Sequence, residues 1–296
     1  MSRIKEEQGN LLNSDIQIYQ EPFMHWEIKD MFDKSFYDKL KKDFPKVEDF
    51  DLDDEVMGGR FQINTEDAKF WEIIENSKSW RRFWNYFNSQ EFVFSVFESF
   101  KETIESIGTN LDIPNLKFDK NHKYNLFNDI EDKTDKSLND IFIDFDFSIA
   151  RNGYMREVHT DMNDRIFGFM LYFSNVTGDG GTLELYDIAH ETIPYIGDNG
   201  QVGLWDKGSY CRGCWDNNNI KLNKTIQPKE NLGLWKLDYE NSWHAVPEMK
   251  NNNGWRKFIY VAVTSKQVGV WKNKVNSIDG VVPNVEQHGI REKLKF

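Results

Sequence analysis

Apolar residues recur along the first third of the chain at helical intervals. Phe32, Phe36, Leu40 and Phe44 fall four apart and predict a helix over 32–44 with one apolar face. The stretch from Phe23 to Ile28 just before it has strand character. From Glu66 to Ile107 the pattern is helical again. Phe70, Ile73 and Ile74 share one face, and Phe92, Val93, Val96, Phe97, Phe100 and Ile104 share a second. The period then shortens. Ile141 to Ile149 alternates apolar residues with Asp144, Asp146 and Ser148, as a strand does. Short apolar or alternating runs follow at Phe167–Phe173, Thr182–Tyr186, Leu232–Leu237 and Lys257–Thr264. The acidic stretch 49–55 reads as a loop, and 114–136 as loop with short strands. Helices first and many short strands afterwards predict an α+β unit, a helical layer packed on a β-sandwich or barrel.

These patterns divide the chain into a flexible lead over 1–20, a single domain over 21–275 and a C-terminal extension over 276–296. Within the domain, helical support spans 30–110 and the β core 140–265. The stretch 187–230 is rich in Gly and Asn and too long for an idle connection, so it reads as a functional insertion or lid. Its Trp205, Tyr210, Arg212 and Trp215 would suit either an aromatic lid or a satellite hydrophobic cluster.

With 39% hydrophobic and 15% aromatic residues, the 296-residue chain has ample material for a core, which excludes global disorder. Its 37 basic and 49 acidic residues give a formal charge of -12. Such a surface repels phosphate backbones, so no duplex nucleic acid is expected as a partner. No apolar run reaches membrane-spanning length, and residues 1–10 carry no apolar signal core. A cytoplasmic protein without a membrane partner is the expectation, and the N-x-T sequons at Asn175 and Asn223 then mean nothing. Cys211 and Cys214 form a lone C-x-x-C, too few ligands for a zinc site and too few thiols for a disulfide framework. They read as structural or incidental.

Candidate chemistry gathers at His159-Thr160-Asp161. In a strand, residues two apart point to one face, so an imidazole and a carboxylate would project together. A further imidazole completes a facial set of two His and one carboxylate, which leaves open positions on Fe(II). His244, directly after the run ending at Leu237, is the best third ligand. His25, His122, His190 and His288 stand singly, with no second ligand at strand spacing, and read as ordinary surface or core histidines. The chain has no G-x-x-x-x-G-K, H-E-x-x-H or G-x-S-x-G motif.

The surroundings of the H-x-D carry a resemblance. Ile149-Ala150-Arg151-Asn152-Gly153-Tyr154 precedes it, and Leu171-Tyr172-Phe173-Ser174-Asn175 and Gly180-Gly181-Thr182-Leu183 follow. His244-Ala245-Val246-Pro247 supplies an H-x-V and Gly254-Trp255-Arg256 a G-x-R. In this order, over about residues 140–265, these elements resemble the prolyl 4-hydroxylase-like group of the 2-oxoglutarate/Fe(II)-dependent oxygenase superfamily. The resemblance implies a double-stranded β-helix, or jelly roll, with the N-terminal helices packed on one sheet. It implies Fe(II) on His159, Asp161 and His244, and 2-oxoglutarate as co-substrate with O₂, with ascorbate as a supporting reductant. Halogenating relatives lack the carboxylate at the Asp161 position, so hydroxylation is the implied reaction.

Arg256 is the implied anchor of the co-substrate's distal carboxylate, since a buried carboxylate needs a hydrogen-bonding cation. Many relatives carry Ser or Thr two residues after that arginine, where this chain has Phe258, and Tyr172 is the candidate replacement donor. Arg151, Arg156 and Arg165 are the cations nearest the H-x-D and the next candidates for the anchor. The substrate is a prolyl or other residue of a polypeptide, or a free amino acid or other small polar molecule. A jelly roll that binds without catalysis is the competing reading.

Overall fold

The computed structural model describes residues 16–55, 59–122, 137–161, 163–188, 194–196, 202–204 and 220–272. Among the described residues there are four α-helices: α1 (Lys34–Lys42), α2 (Ala68–Asn76), α3 (Lys78–Phe87) and α4 (Gln90–Ile107). The continuous helical pattern over 66–107 thus resolves into three pieces. Serines make the breaks. Ser77 Oγ accepts from Trp80 N at 3.2 Å, and Ser89 Oγ accepts from Phe92 N at 3.2 Å. Each hydroxyl starts a new helix by satisfying an amide that the preceding helix cannot.

The strands are β1 (Ile16–Tyr19), β2 (His25–Ile28), β3 (Arg60–Asn64), β4 (Lys117–Phe118), β5 (Asp140–Ala150), β6 (Arg156–His159) and β7 (Arg165–Tyr172), followed by β8 (Leu183–Ile188), β9 (Pro194–Ile196), β10 (Val202–Leu204), β11 (Ile220–Ile226), β12 (Gly233–Leu237), β13 (His244–Val246) and β14 (Arg256–Ser265). A large mixed sheet runs β1-β2-β12-β7-β14-β5-β3, with β4 joined parallel to β5. A smaller sheet runs β11-β8-β13-β6, and β9 pairs with β10 alone. The fold is mixed α and β, as the two periodicities predict.

Strand β5 shows how the layers are divided. Ile141, Ile143, Phe145, Phe147 and Ile149 join the larger apolar cluster with residues of all four helices. Trp80 is fully buried there, its ring against Phe44, Phe83, Phe145, Phe147 and Phe173. The alternate residues face the other way, as the two-residue pleat requires. There Asp144 pairs with Arg165 at 2.9 Å and Asp146 with Arg60 at 2.9 Å, while Arg60 Nε donates to Ser148 Oγ. On this second face the smaller sheet packs: Leu183, Leu185, Ile226 and Val246 meet Met170, Tyr172, Leu234 and Phe258 in a separate cluster.

Two boundaries move. The expected flexible lead over 1–20 ends in a strand, because β1 pairs antiparallel with β2 from Ile16↔Ile28 to Tyr19↔His25. The expected insertion over 187–230 also ends in a strand, because β11 pairs with β8 along the smaller sheet. A register shift between Leu222 and Lys224 breaks the alternation there, which hid the strand. Residues 205–219, with the aromatic residues of the expected lid, Cys211 and Cys214, and residues 276–296 lie outside the described residues, as do His190 and His288. Among the described residues no helix is long and apolar enough to cross a membrane.

β2 and β11 are clipped together across the two sheets. Lys224 Nζ lies 2.6 Å from Glu27 and 3.0 Å from His25 Nε2, and His25 Nδ1 donates to the Phe23 carbonyl at 2.8 Å. Burial, helped by Lys224, pushes the His25 pKa down to about 4. The unfolded chain therefore binds a proton at His25 that the fold refuses. Stability from this residue is present above the ordinary histidine range and is lost as pH falls toward 4. Replacing His25 with Gln should flatten the pH dependence of urea unfolding between neutrality and pH 4, by at most about 3 kcal/mol. An unchanged slope would place the acid sensitivity elsewhere.

Candidate metal centre

His159 closes β6 and His244 opens β13. These strands are neighbours, and the two histidines are direct cross-strand partners. Their ring centroids lie 4.3 Å apart. The strand ends at His159, so Asp161 stands just beyond it and not within it, but its carboxylate still turns to the same side. His159 Nε2 is 3.8 Å from Asp161 Oδ1, and His244 Nε2 is 3.9 Å from Asp161 Oδ2. One ligand atom from each residue fits within 4.8 Å of the others. Both histidines are buried, and Asp161 is partly so.

The groups behind these donors fix their chemistry. His244 Nδ1 lies 2.8 Å from the Ser242 carbonyl, which requires a proton on Nδ1 and leaves Nε2 as the donor atom. Burial, with Lys236 nearby, pushes the His244 pKa down to about 3, so the imidazole is neutral as a ligand must be. Burial alone would disfavour an ionised Asp161. Lys236, with His244, His159 and Arg165, outweighs it and holds the carboxyl well below the usual carboxylate range.

Lys236 is a residue the sequence reading passed over. It is 2% exposed, near the end of β12, with Nζ 2.5 Å from Asp161 Oδ2 and a second contact to the fully buried Asp238. Tyr260 Oη donates to the same Asp161 oxygen at 3.4 Å. Oδ2 thus meets Lys236 and Tyr260 as well as His244 Nε2, while Oδ1 is the oxygen beside His159 Nε2. Gly168, opposite Lys236 in the sheet, makes room for this pair: a Cβ there would lie 2.9 Å from Asp238 Oδ2. The signal for Lys236 was legible, since a lysine shares the inward parity of Leu234 on an otherwise apolar strand.

Arg256 opens β14 and is 1% exposed. Its guanidinium sits 4.8 Å from the Phe258 ring centroid, 5.4 Å from that of Tyr172 and 5.5 Å from that of Tyr154. Nη2 reaches the Tyr172 hydroxyl at 3.5 Å, while Nε and Nη1 have no hydrogen-bond partner among the described residues. Burying guanidinium donors without acceptors is unfavourable, and a bound carboxylate would satisfy them. Arg256 and Tyr172 thus lie side by side. The alternative cations are differently engaged: Arg165 pairs with Asp144, and Arg151 lies outside with Glu55 at 2.9 Å. Arg156 reaches toward His159 instead, with Nη2 3.3 Å from Nε2.

No protein-family model matches the chain, and no curated protein matches it. Solved structures of 2-oxoglutarate/Fe(II) oxygenases, the group the motifs resemble, are among the structural matches. A prolyl-4-hydroxylase from Pseudomonas putida is 9% identical, with 81% of this chain and 92% of that one covered at a TM-score of 0.39. The viral collagen prolyl hydroxylase from Paramecium Bursaria Chlorella virus-1 is 12% identical, with coverage of 81% and 96% and a TM-score of 0.35. The non-heme alpha ketoglutarate dependent epimerase from nogalamycin biosynthesis is 7% identical, with coverage of 85% and 82% and a TM-score of 0.46. At these identities and scores the likenesses have no weight of their own, and the functional reading rests on the site.

Proposed function

We propose that the chain is a 2-oxoglutarate- and Fe(II)-dependent oxygenase of the prolyl 4-hydroxylase-like group, built on a double-stranded β-helix, and that it hydroxylates a polypeptide side chain or a small polar molecule. The observation that carries this reading is one constellation. Two imidazoles and one carboxylate converge within 4.8 Å, and a buried arginine carries two orphaned donor atoms. The donor set suits Fe(II) and the arginine suits a carboxylate.

In this reading His159 and His244 bind the metal through Nε2 and Asp161 through Oδ1. Lys236 and Tyr260 hold Asp161 Oδ2, which would leave Oδ1 available to the metal. Arg256 and Tyr172 orient 2-oxoglutarate by its distal carboxylate. Fe(II) with 2-oxoglutarate and O₂ supplies the oxidising chemistry, and the co-substrate leaves as succinate and CO₂. The sandwich interior excludes water from that chemistry. The helical layer over 30–110 serves as a buttress for the large sheet and not as a separate domain.

Purified protein with Fe(II), ascorbate and 2-oxoglutarate should form succinate slowly without substrate. Peptide and metabolite pools should raise that rate and yield a product heavier by one oxygen. Succinate formation indifferent to added iron would overturn the reading.

A further inference from the structure

Resting on the oxygenase reading above, we infer that the Tyr154 hydroxyl is a second donor, beside that of Tyr172, to the distal carboxylate of 2-oxoglutarate at Arg256. Three rings approach the Arg256 guanidinium, those of Phe258, Tyr172 and Tyr154, at 4.8, 5.4 and 5.5 Å. Phe258 brings no hydrogen-bonding group. Tyr172 brings a hydroxyl that accepts from Arg256 Nη2 at 3.5 Å and donates to Met170 Sδ at 3.8 Å. Tyr154 brings the other hydroxyl. Its residue is 3% exposed, yet the hydroxyl has no hydrogen-bond partner among the described residues.

A hydroxyl held in the interior without a partner is unfavourable, and so are the unmet Nε and Nη1 of Arg256. Three donor groups, two N–H and one O–H, thus wait in one neighbourhood for an acceptor. A carboxylate suits them all at once. Its two oxygens offer about four lone-pair sites, enough for a guanidinium fork and two hydroxyls together. Burial raises the Tyr172 pKa, Arg256 opposes the rise and Tyr154 adds to it, so the two phenols stand within electrostatic reach of each other. Tyr172 keeps its proton and can donate it.

The backbone fixes Tyr154 in this place. β5 ends at Ala150, and the chain turns through Asn152 and Gly153. Gly153 has a φ of +95°, a conformation that residues with a Cβ rarely adopt. Tyr154 N donates to the Arg151 carbonyl at 3.0 Å and closes the turn. Gly153 N donates to the Met249 carbonyl at 2.8 Å, and Met249 N donates back to the Tyr154 carbonyl at 2.9 Å. Met249 is fully buried and lies between β13 and β14. Tyr154 is therefore tied to the segment that leads to Arg256, so its ring is held in position before a ligand arrives.

The test is calorimetry on the full chain with Mn(II) in place of iron, comparing the wild type with Tyr154→Phe. That variant keeps the ring and removes only the oxygen. It should bind 2-oxoglutarate about tenfold more weakly, the effect of losing one hydrogen bond to a charged group. 2-Oxobutyrate, which lacks the distal carboxylate, should bind both proteins alike. Mn(II) affinity and the urea midpoint should stay where they are, because the ligands and the ring packing are untouched. Tyr172→Phe should give a loss of the same kind, and the double variant a larger one. Equal affinity of wild type and Tyr154→Phe for 2-oxoglutarate, or a loss shared by 2-oxobutyrate, would overturn the inference and leave the oxygenase reading standing. A Tyr154→Phe variant that no longer folds would assign the hydroxyl to packing and overturn it too. No binding of 2-oxoglutarate by the wild type would overturn both.

Discussion

Replacing Lys236 with Met should lower the unfolding free energy by about 3–5 kcal/mol, the usual penalty for stripping one partner from a buried ion pair. Lys236 stands between two carboxylates, Asp161 and the fully buried Asp238. Burial opposes its charge, but Asp161 and Asp238 outweigh burial and raise its pKa. Methionine fills a similar volume and removes only the charge, so the loss reports electrostatics and not a cavity. Two further results follow from the same geometry. Asp238→Asn in the Met background should recover part of the loss, because it removes one of the two carboxylates that Lys236 served. Mn(II) should also stabilise the Met variant more than the wild type, since the metal then supplies the missing positive charge at Asp161. Urea unfolding with and without Mn(II) measures all three. A Met variant as stable as the wild type would mean that Asp161 and Asp238 are not both ionised in the fold.

Arg256→Ala should weaken 2-oxoglutarate roughly 30-fold or more, the effect of taking a charge-assisted partner from a desolvated carboxylate, on the order of 2–5 kcal/mol. Metal affinity should change little, because Arg256 is not a ligand. Arg256→Lys should retain part of the binding, since the charge stays and the fork geometry goes. A 2-oxo monocarboxylate has no distal carboxylate, and its weak binding should be nearly indifferent to the variant. Calorimetric titration of the Mn(II) protein separates these outcomes. An unchanged affinity for 2-oxoglutarate in Arg256→Ala would show that the orphaned Nε and Nη1 atoms serve something else.

Long elements with a strong period were legible in the sequence. β5 and β14 fall within a residue of the runs read from alternation, and α1 lies inside its predicted helix. Short edge strands were not. β1, β3 and β6 offer four or five residues each, too few for a period to stand out from chance. The site divides the same way. His159, Asp161 and His244 could be read because spacing and local motif point to them. Tyr260 could not, because its contact with Asp161 is made across 99 positions of sequence and depends on the pairing of β14 with β7. Lys236 lies between, with its parity visible but its partners set by tertiary structure. The alternation places Asp144 and Asp146 on one face of the strand but does not show that they are buried, at 5% and 6% exposed. Periodicity tells which residues share a face and not what covers that face.

The two faces of β5 have a consequence for how this stretch can change in length. Phe145 packs edge-on against Phe70, Trp80, Phe83 and Trp84 on one side, while its neighbours Asp144 and Asp146 meet arginines on the other. Removing a single residue inverts the strand and drives carboxylates into an aromatic wall with nothing to receive them. Removing two keeps oil to oil and charge to charge, and only slides each carboxylate one rung along its ladder. The strand therefore counts in twos, as a coding frame counts in threes, and loss or gain of an odd number of residues inside it is its frameshift.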